Sequence, residues 1–205
     1  MPQFITHNLW PIPVYEAEIP VKQEWKDFVI NLEYERTHIG NSDISKNRNI
    51  FDKMTDLKNE INVHCENYLR KYLFVKNSAK FYFLNSWANI HHPKDESQIH
   101  YHGNSLISGV YYPIFPKNSG NLVLHKSNAY NNLFHHCITL EFDEHSNITA
   151  QKYILDVTEG MIVIFPSHLE HSVEKNKSNE IRYSIAFNLF VKGKFGREEY
   201  ELEIK

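Results

Sequence analysis

"GMIVIFPSHLEHSVEKNKSNEIRYSIAFN", residues 160–188, holds two β-type runs around a polar turn. An apolar strand over 161–165 stops at Pro166, His171 follows in a loop or short strand, and 171–180 reads as a hairpin-like loop. The last run carries Arg182 among Ile181, Ile185, Ala186 and Phe187, which read as core. Side chains two apart on a strand share a face, so alternation puts Arg182, Ser184 and Ala186 together. A guanidinium aimed into a β core is costly unless paired. Arg182 is then either a fork for a carboxylate, with the Ser184 hydroxyl as a second donor, or a residue at the strand's start reaching solvent. His168 competes with His171 for any role in that loop.

Upstream, the same texture recurs. "KFYFLNSWANIHH" (80–92), "SLISGVYYPIF" (105–115), "GNLVLHK" (120–126) and "QKYILDV" (151–157) are short and rich in β-branched and aromatic residues, with turn residues between them. No helical periodicity intervenes, so antiparallel pairing is expected. The N-terminal part differs. Residues 9–19, broken by Pro11 and Pro13, read as an edge strand. Residues 21–37 read as a helix, with Val21, Trp25, Phe28, Val29 and Leu32 at three- and four-residue steps. A polar loop is expected over 38–54. Thr55 can then cap a second helix whose stripe is Leu57, Ile61, Cys65, Tyr68, Leu69 and Tyr72. Two helices followed by six or more strands predict a mainly β (α+β) protein, a sandwich or barrel with helices packed on one sheet. One domain over 1–205 is expected, with a helical part about 21–75 and a β core about 79–192.

Composition narrows the function classes. With 41% hydrophobic residues in 205, the chain can bury a sizeable core. The net charge is −3, and scattered Lys and Arg argue against a nucleic-acid binder. Two cysteines, Cys65 and Cys137, without a CxxC make neither a disulfide framework nor a Cys-based zinc site. No signal peptide or membrane-length apolar run is read, so a soluble, cytoplasmic protein is expected.

"QIHYHGNSLISGVYY", 98–112, supplies a second chemical element. In a strand His100 and His102 would project together, their imidazoles able to converge on one ion. In a chain with 13 histidines, such a pair is weak evidence by itself. Combined with His171, and Arg182 eleven residues beyond it, the pattern gains specificity.

These motifs resemble the iron(II)- and 2-oxoglutarate-dependent oxygenases, and more narrowly a small oxygenase family of bacteria and phages. That family carries a W-x-N … H-x-H-P-x-S-x-x-S-G-x-Y-Y block, matched by Trp87, Asn89, His100, His102, Ser105, Ser108, Gly109, Tyr111 and Tyr112. Its G-x-x-x-x-F-P-S-x-L-x-H-x-V … R-x-S-x-x-F-N block is matched by Gly160, Phe165, Pro166, Ser167, Leu169, His171, Val173, Arg182, Ser184, Phe187 and Asn188. The opening "LWPIPVY" is similar too. Gly103 stands where that family has proline, and 126–150 matches nothing in it.

The resemblance implies a double-stranded β-helix, a jelly-roll or cupin-like core. It implies iron(II) held by His100, His102 and His171, and 2-oxoglutarate as co-substrate on Arg182, Ser184, Asn89 and Tyr111. Three protein ligands leave three positions, enough for a bidentate 2-oxo acid and oxygen. His102 takes the place of the usual carboxylate; Asp95 and Glu96 are the nearest alternatives in sequence, and Glu170 adjoins His171. The implied reaction is hydroxylation of a peptidyl residue, amino acid or small metabolite, with O2 consumed; a homodimer is compatible with the pattern. The alternative is a cupin-type metal-dependent dioxygenase or isomerase without 2-oxoglutarate. Against it, the cupin glutamate position falls on Ile107, and a cupin has no use for Arg182 and Ser184. Loops 38–54, 91–99 and 126–150 are expected at the pocket rim. Their histidines, His91, His92, His135 and His136, are expected to be solvated.

Overall fold

The computed structural model describes Ile5, His7 and residues 11–126, 141–146 and 148–204. The chain runs through β1 (Tyr15–Glu18), α1 (Gln23–Ile30), β2 (Tyr34–Arg36), β3 (Asp43–Ser45) and a 3-10 turn (Ile50–Asp52). Helix α2 (Thr55–Glu66) continues into a π-helical turn (Asn67–Tyr72). Then come β4 (Lys80–His91), β5 (Ser97–His100), β6 (Ile107–Ile114), β7 (Leu122–His125), β8 (Lys152–Leu155), β9 (Met161–Pro166), β10 (His171–Val173), β11 (Arg182–Phe195) and β12 (Leu202–Ile204).

The strands form two antiparallel sheets. The large one runs β1-β9-β6-β11-β4-β3-β2, with β12 added to β11, and the small one runs β5-β10-β7-β8. From β4 to β11 the chain shuttles between them, closing the double-stranded β-helix that the motifs implied. β1 and the β2–β3 pair extend the large sheet at its two edges.

Strands buried on both faces are largely apolar, as β9 is, while β6 departs at Ser108, whose buried hydroxyl donates to Asn188 Oδ1. One face of the large sheet meets the helices. Trp25 and Val29 of α1 and Leu57, Ile61 and Cys65 of α2 pack there with Ala88, Tyr111, Ile162, Ile164, Ile185 and Phe187. The opposite face meets the small sheet through Tyr112, Leu122, Leu124, Leu155, Val163, Phe165 and Leu169. The functional cavity opens in that second interface, beyond the apolar plug.

Three local expectations are corrected. The helix expected over 21–37 ends at Ile30, and Tyr34–Arg36 becomes β2, which pairs with β3 inside the expected 38–54 loop. Sheet pairing overrides the weak helical period there, and Tyr34 folds back to donate its hydroxyl hydrogen to the Val29 carbonyl. Thr55 is the first helical residue, preceded by Met54, which makes no side-chain cap. Tyr72 leaves the expected stripe and is exposed, because the π turn inserts an extra residue and rotates the last position outward.

Candidate active site

The β4–β11 ladder forms the floor of the site. Its register pairs Arg182 with His91, Ser184 with Asn89, Ala186 with Trp87 and Asn188 with Asn85. These residues alternate with Tyr183, Ile185 and Phe187, which point to the helices. The small sheet supplies the wall: His100 on β5 lies directly opposite His171 on β10. His102 stands just beyond β5, where its N–H donates to the Ser167 carbonyl. The β2–β3 segment closes one side with Thr37, Ile39, Ser42 and Ile44, leaving a cavity of about 290 Å³.

His100, His102 and His171 each bring a ring nitrogen within 4.8 Å of the others. Among the described residues they are the one such cluster of potential metal ligands. Each ring is turned by a bond at Nδ1. His100 Nδ1 lies 2.8 Å from the Gln98 carbonyl, and His171 Nδ1 lies 2.9 Å from the Leu169 carbonyl. His102 Nδ1 is 2.7 Å from Asn188 Oδ1 and 2.9 Å from Ser108 Oγ. Asn188 is itself oriented, its Nδ2 donating to Asn85 Oδ1 at 3.0 Å. A proton held at Nδ1 leaves the Nε2 lone pair free, the tautomer a metal requires. Burial, and the neighbouring rings, push His171 down to about 3; burial pushes His102 down to about 4 and lowers His100. All three are therefore neutral donors at physiological pH. This donor set fits a divalent transition metal. Asp95 is turned elsewhere: its carboxylate accepts from the His92 N–H at 3.0 Å and lies 3.5 Å from Arg36.

Arg182 is 1% exposed. Its Nη1 donates to the Gly120 carbonyl and its Nη2 to His91 Nδ1, both at 2.7 Å, while Nε has no partner. Burial pulls the guanidinium down to about 10, so it stays charged. Among the described residues no carboxylate pairs with it, which makes it a buried cation opposite a cavity. An anion is the chemistry it lacks. Ser184 and Asn89 line the same cavity.

The expectation for Tyr111 is corrected. Its ring lies in the helix-side core, edge-on to Trp25, with the hydroxyl directed at the Ile19 carbonyl. Tyr112 is the tyrosine that lines the cavity. Both residues sit in a strand buried on both faces, so no periodicity told them apart. His91 is corrected as well: it is buried and bonded to Arg182 rather than solvated. The signal that could have found it is the strand register, since His91 and Arg182 are direct cross-strand partners. His168 is exposed and outside the cluster. His135 and His136 lie outside the described residues.

With this geometry in place, the relatives become informative. The family model described as "Putative 2OG-Fe(II) oxygenase" matches residues 85–188, half of the chain. No curated protein matches. Among solved structures, a 2OG-Fe(II) oxygenase family oxidoreductase from Burkholderia pseudomallei superposes with TM-score 0.58 at 11% identity, covering 81% of this chain and 76% of that one. The non-heme alpha ketoglutarate dependent epimerase SnoN from nogalamycin biosynthesis gives TM-score 0.60 at 12% identity, with coverages of 87% and 78%. HygX from Streptomyces hygroscopicus, solved with nickel and 2-oxoglutarate, gives 0.57 at 9% identity, with coverages of 87% and 82%. At such identities these likenesses speak to the fold, and the family match carries the assignment. The chain belongs to the 2OG-Fe(II) oxygenases, whose cofactors are iron(II) and 2-oxoglutarate.

Proposed function

We propose that this oxygenase hydroxylates a peptidyl side chain, a free amino acid or another small metabolite, with His100, His102 and His171 as its iron ligands. The observation that carries the reading is one cavity holding three convergent neutral imidazoles and a buried, carboxylate-free guanidinium. Iron(II) with 2-oxoglutarate supplies the oxygen activation that side chains cannot perform. The chain's residues do the rest. Hydrogen bonds at Nδ1 fix each imidazole before metal arrives, so little reorganisation is needed. Arg182, assisted by Ser184 and with Asn89 alongside, binds the distal carboxylate of the co-substrate. Trp87, Phe165 and Val110 dry the cavity, which strengthens that charge pairing. The β2–β3 segment faces the space left for substrate.

Succinate release tests the reading. With iron(II), O2 and 2-oxoglutarate the protein should produce succinate slowly, and faster once the right peptide or amino acid pool is added. Single Ala variants of the three histidines should stay folded and lose stoichiometric iron. A His102→Ala protein with full iron and activity would sink the triad. Oxygen uptake without any need for 2-oxoglutarate would favour the cupin-type dioxygenase instead.

A further inference from the structure

We propose that His91 is a positioning residue for the co-substrate: a neutral acceptor that orients the Arg182 guanidinium toward the cavity. This rests on the reading of Arg182 as the carboxylate fork. The guanidinium has five N–H donors in a rigid plane. One Nη1 hydrogen is taken by the Gly120 carbonyl and one Nη2 hydrogen by His91 Nδ1. What remains is Nε–H and one hydrogen on each Nη, the set a carboxylate can use. Those two anchors fix the plane; without His91, one corner of the fork is free to swing.

The bond also dictates a tautomer. Nδ1 must present its lone pair to a permanent cation, so the His91 proton sits on Nε2, which lies 2.9 Å from Ser97 Oγ. The tautomer is thus opposite to that of the three clustered histidines, whose Nδ1 atoms face the carbonyls of Gln98 and Leu169 and the Asn188 amide oxygen. Ser97 opens β5, the strand that ends at His100. His91 therefore links the carboxylate end of the cavity to the strand carrying one of the clustered imidazoles. It is buried, and its backbone carbonyl is held by Asn176 Nδ2 at 2.9 Å, so the ring is anchored from its own strand.

The test is 2-oxoglutarate binding to manganese(II)-loaded protein by calorimetry, beside manganese affinity and thermal melting. His91→Leu should weaken 2-oxoglutarate about tenfold to a hundredfold, the loss of one hydrogen bond to a charged group, while manganese affinity holds. His91→Asn, whose Oδ1 can replace the Nδ1 acceptor, should recover most of the affinity. Ser97→Ala, which leaves the His91 Nε2–H unpaired and the ring less firmly held, should cost about twofold to fivefold. It serves as the measurement if His91→Leu does not fold. Nitrogen-15 shifts of His91 should report an Nε2–H ring. Equal 2-oxoglutarate affinity in the unchanged protein and in the foldable variants, with only melting affected, would overturn the assignment alone. No 2-oxoglutarate binding by the unchanged protein would overturn the co-substrate reading and this assignment with it.

Discussion

At the scale of single residues, the site is decided by two kinds of nitrogen. The imidazoles are kept neutral by burial; the guanidinium is kept charged despite it. Desolvating a cation without a counter-ion costs several kcal/mol, so Arg182 is a liability until an anion arrives. Removing it should cost the co-substrate about 2–5 kcal/mol of binding, which is roughly thirtyfold or more in Kd. Arg182→Ala should therefore raise the 2-oxoglutarate requirement steeply in a succinate assay and leave iron affinity near its original value. Unchanged co-substrate dependence would mean that the carboxylate binds elsewhere. The shared face of Arg182 and Ser184 was legible in the sequence because side chains alternate along "RYSIAF", but alternation left open whether the guanidinium turned inward or reached solvent. His91 was not legible, because its role depends on which residue of a distant strand lies opposite it, and one chain's pattern does not state register.

At the scale of elements, Gly109 shows how tightly the large sheet meets its helices. It lies on β6 opposite Phe187 in the register. A Cβ there would fall 2.2 Å from the Phe187 ring, which is fully buried against Phe51 and Phe83. Gly109→Ala must push that ring into a filled core and should destabilise by about 1–3 kcal/mol, read as a lower denaturant midpoint. A midpoint equal to that of the unchanged protein would show that the core is looser than described. The β elements were legible because their apolar runs end at turn residues, as at Pro166 and the polar 174–180 stretch. The helix ends were not. The end of α1 is set by β2 joining a sheet edge, and the end of α2 by a π turn, and neither leaves a local mark. Tyr111 and Tyr112 were indistinguishable because β6 is covered on both sides.

At the scale of the whole molecule, the cavity is wrapped by layers that hold neutral imidazoles away from water, and this ties stability to pH. His91 is lowered well below its ordinary value, first by burial and then by Arg182. In the unfolded chain it titrates near 6.5. Between that value and its folded one, the unfolded state takes up a proton that the folded state refuses. Stability thus rises with pH through this window and is lost as pH falls below about 6.5. At pH 5.5 the loss from one such group is on the order of 1 kcal/mol, a sizeable share of a total of roughly 5–15 kcal/mol. In the metal-free protein the three clustered histidines move in the same direction, since all are lowered. Metal-free protein should therefore show a denaturant midpoint that falls steadily from pH 7.5 to 5.5. His91→Asn, which removes one buried titrating ring while keeping an acceptor for Arg182, should flatten that fall by about 1 kcal/mol. Its baseline at pH 7.5 should drop only modestly. A variant whose pH dependence matches the unchanged protein would mean that His91 takes its proton in the folded state, and that the cavity is wetter than its packing implies.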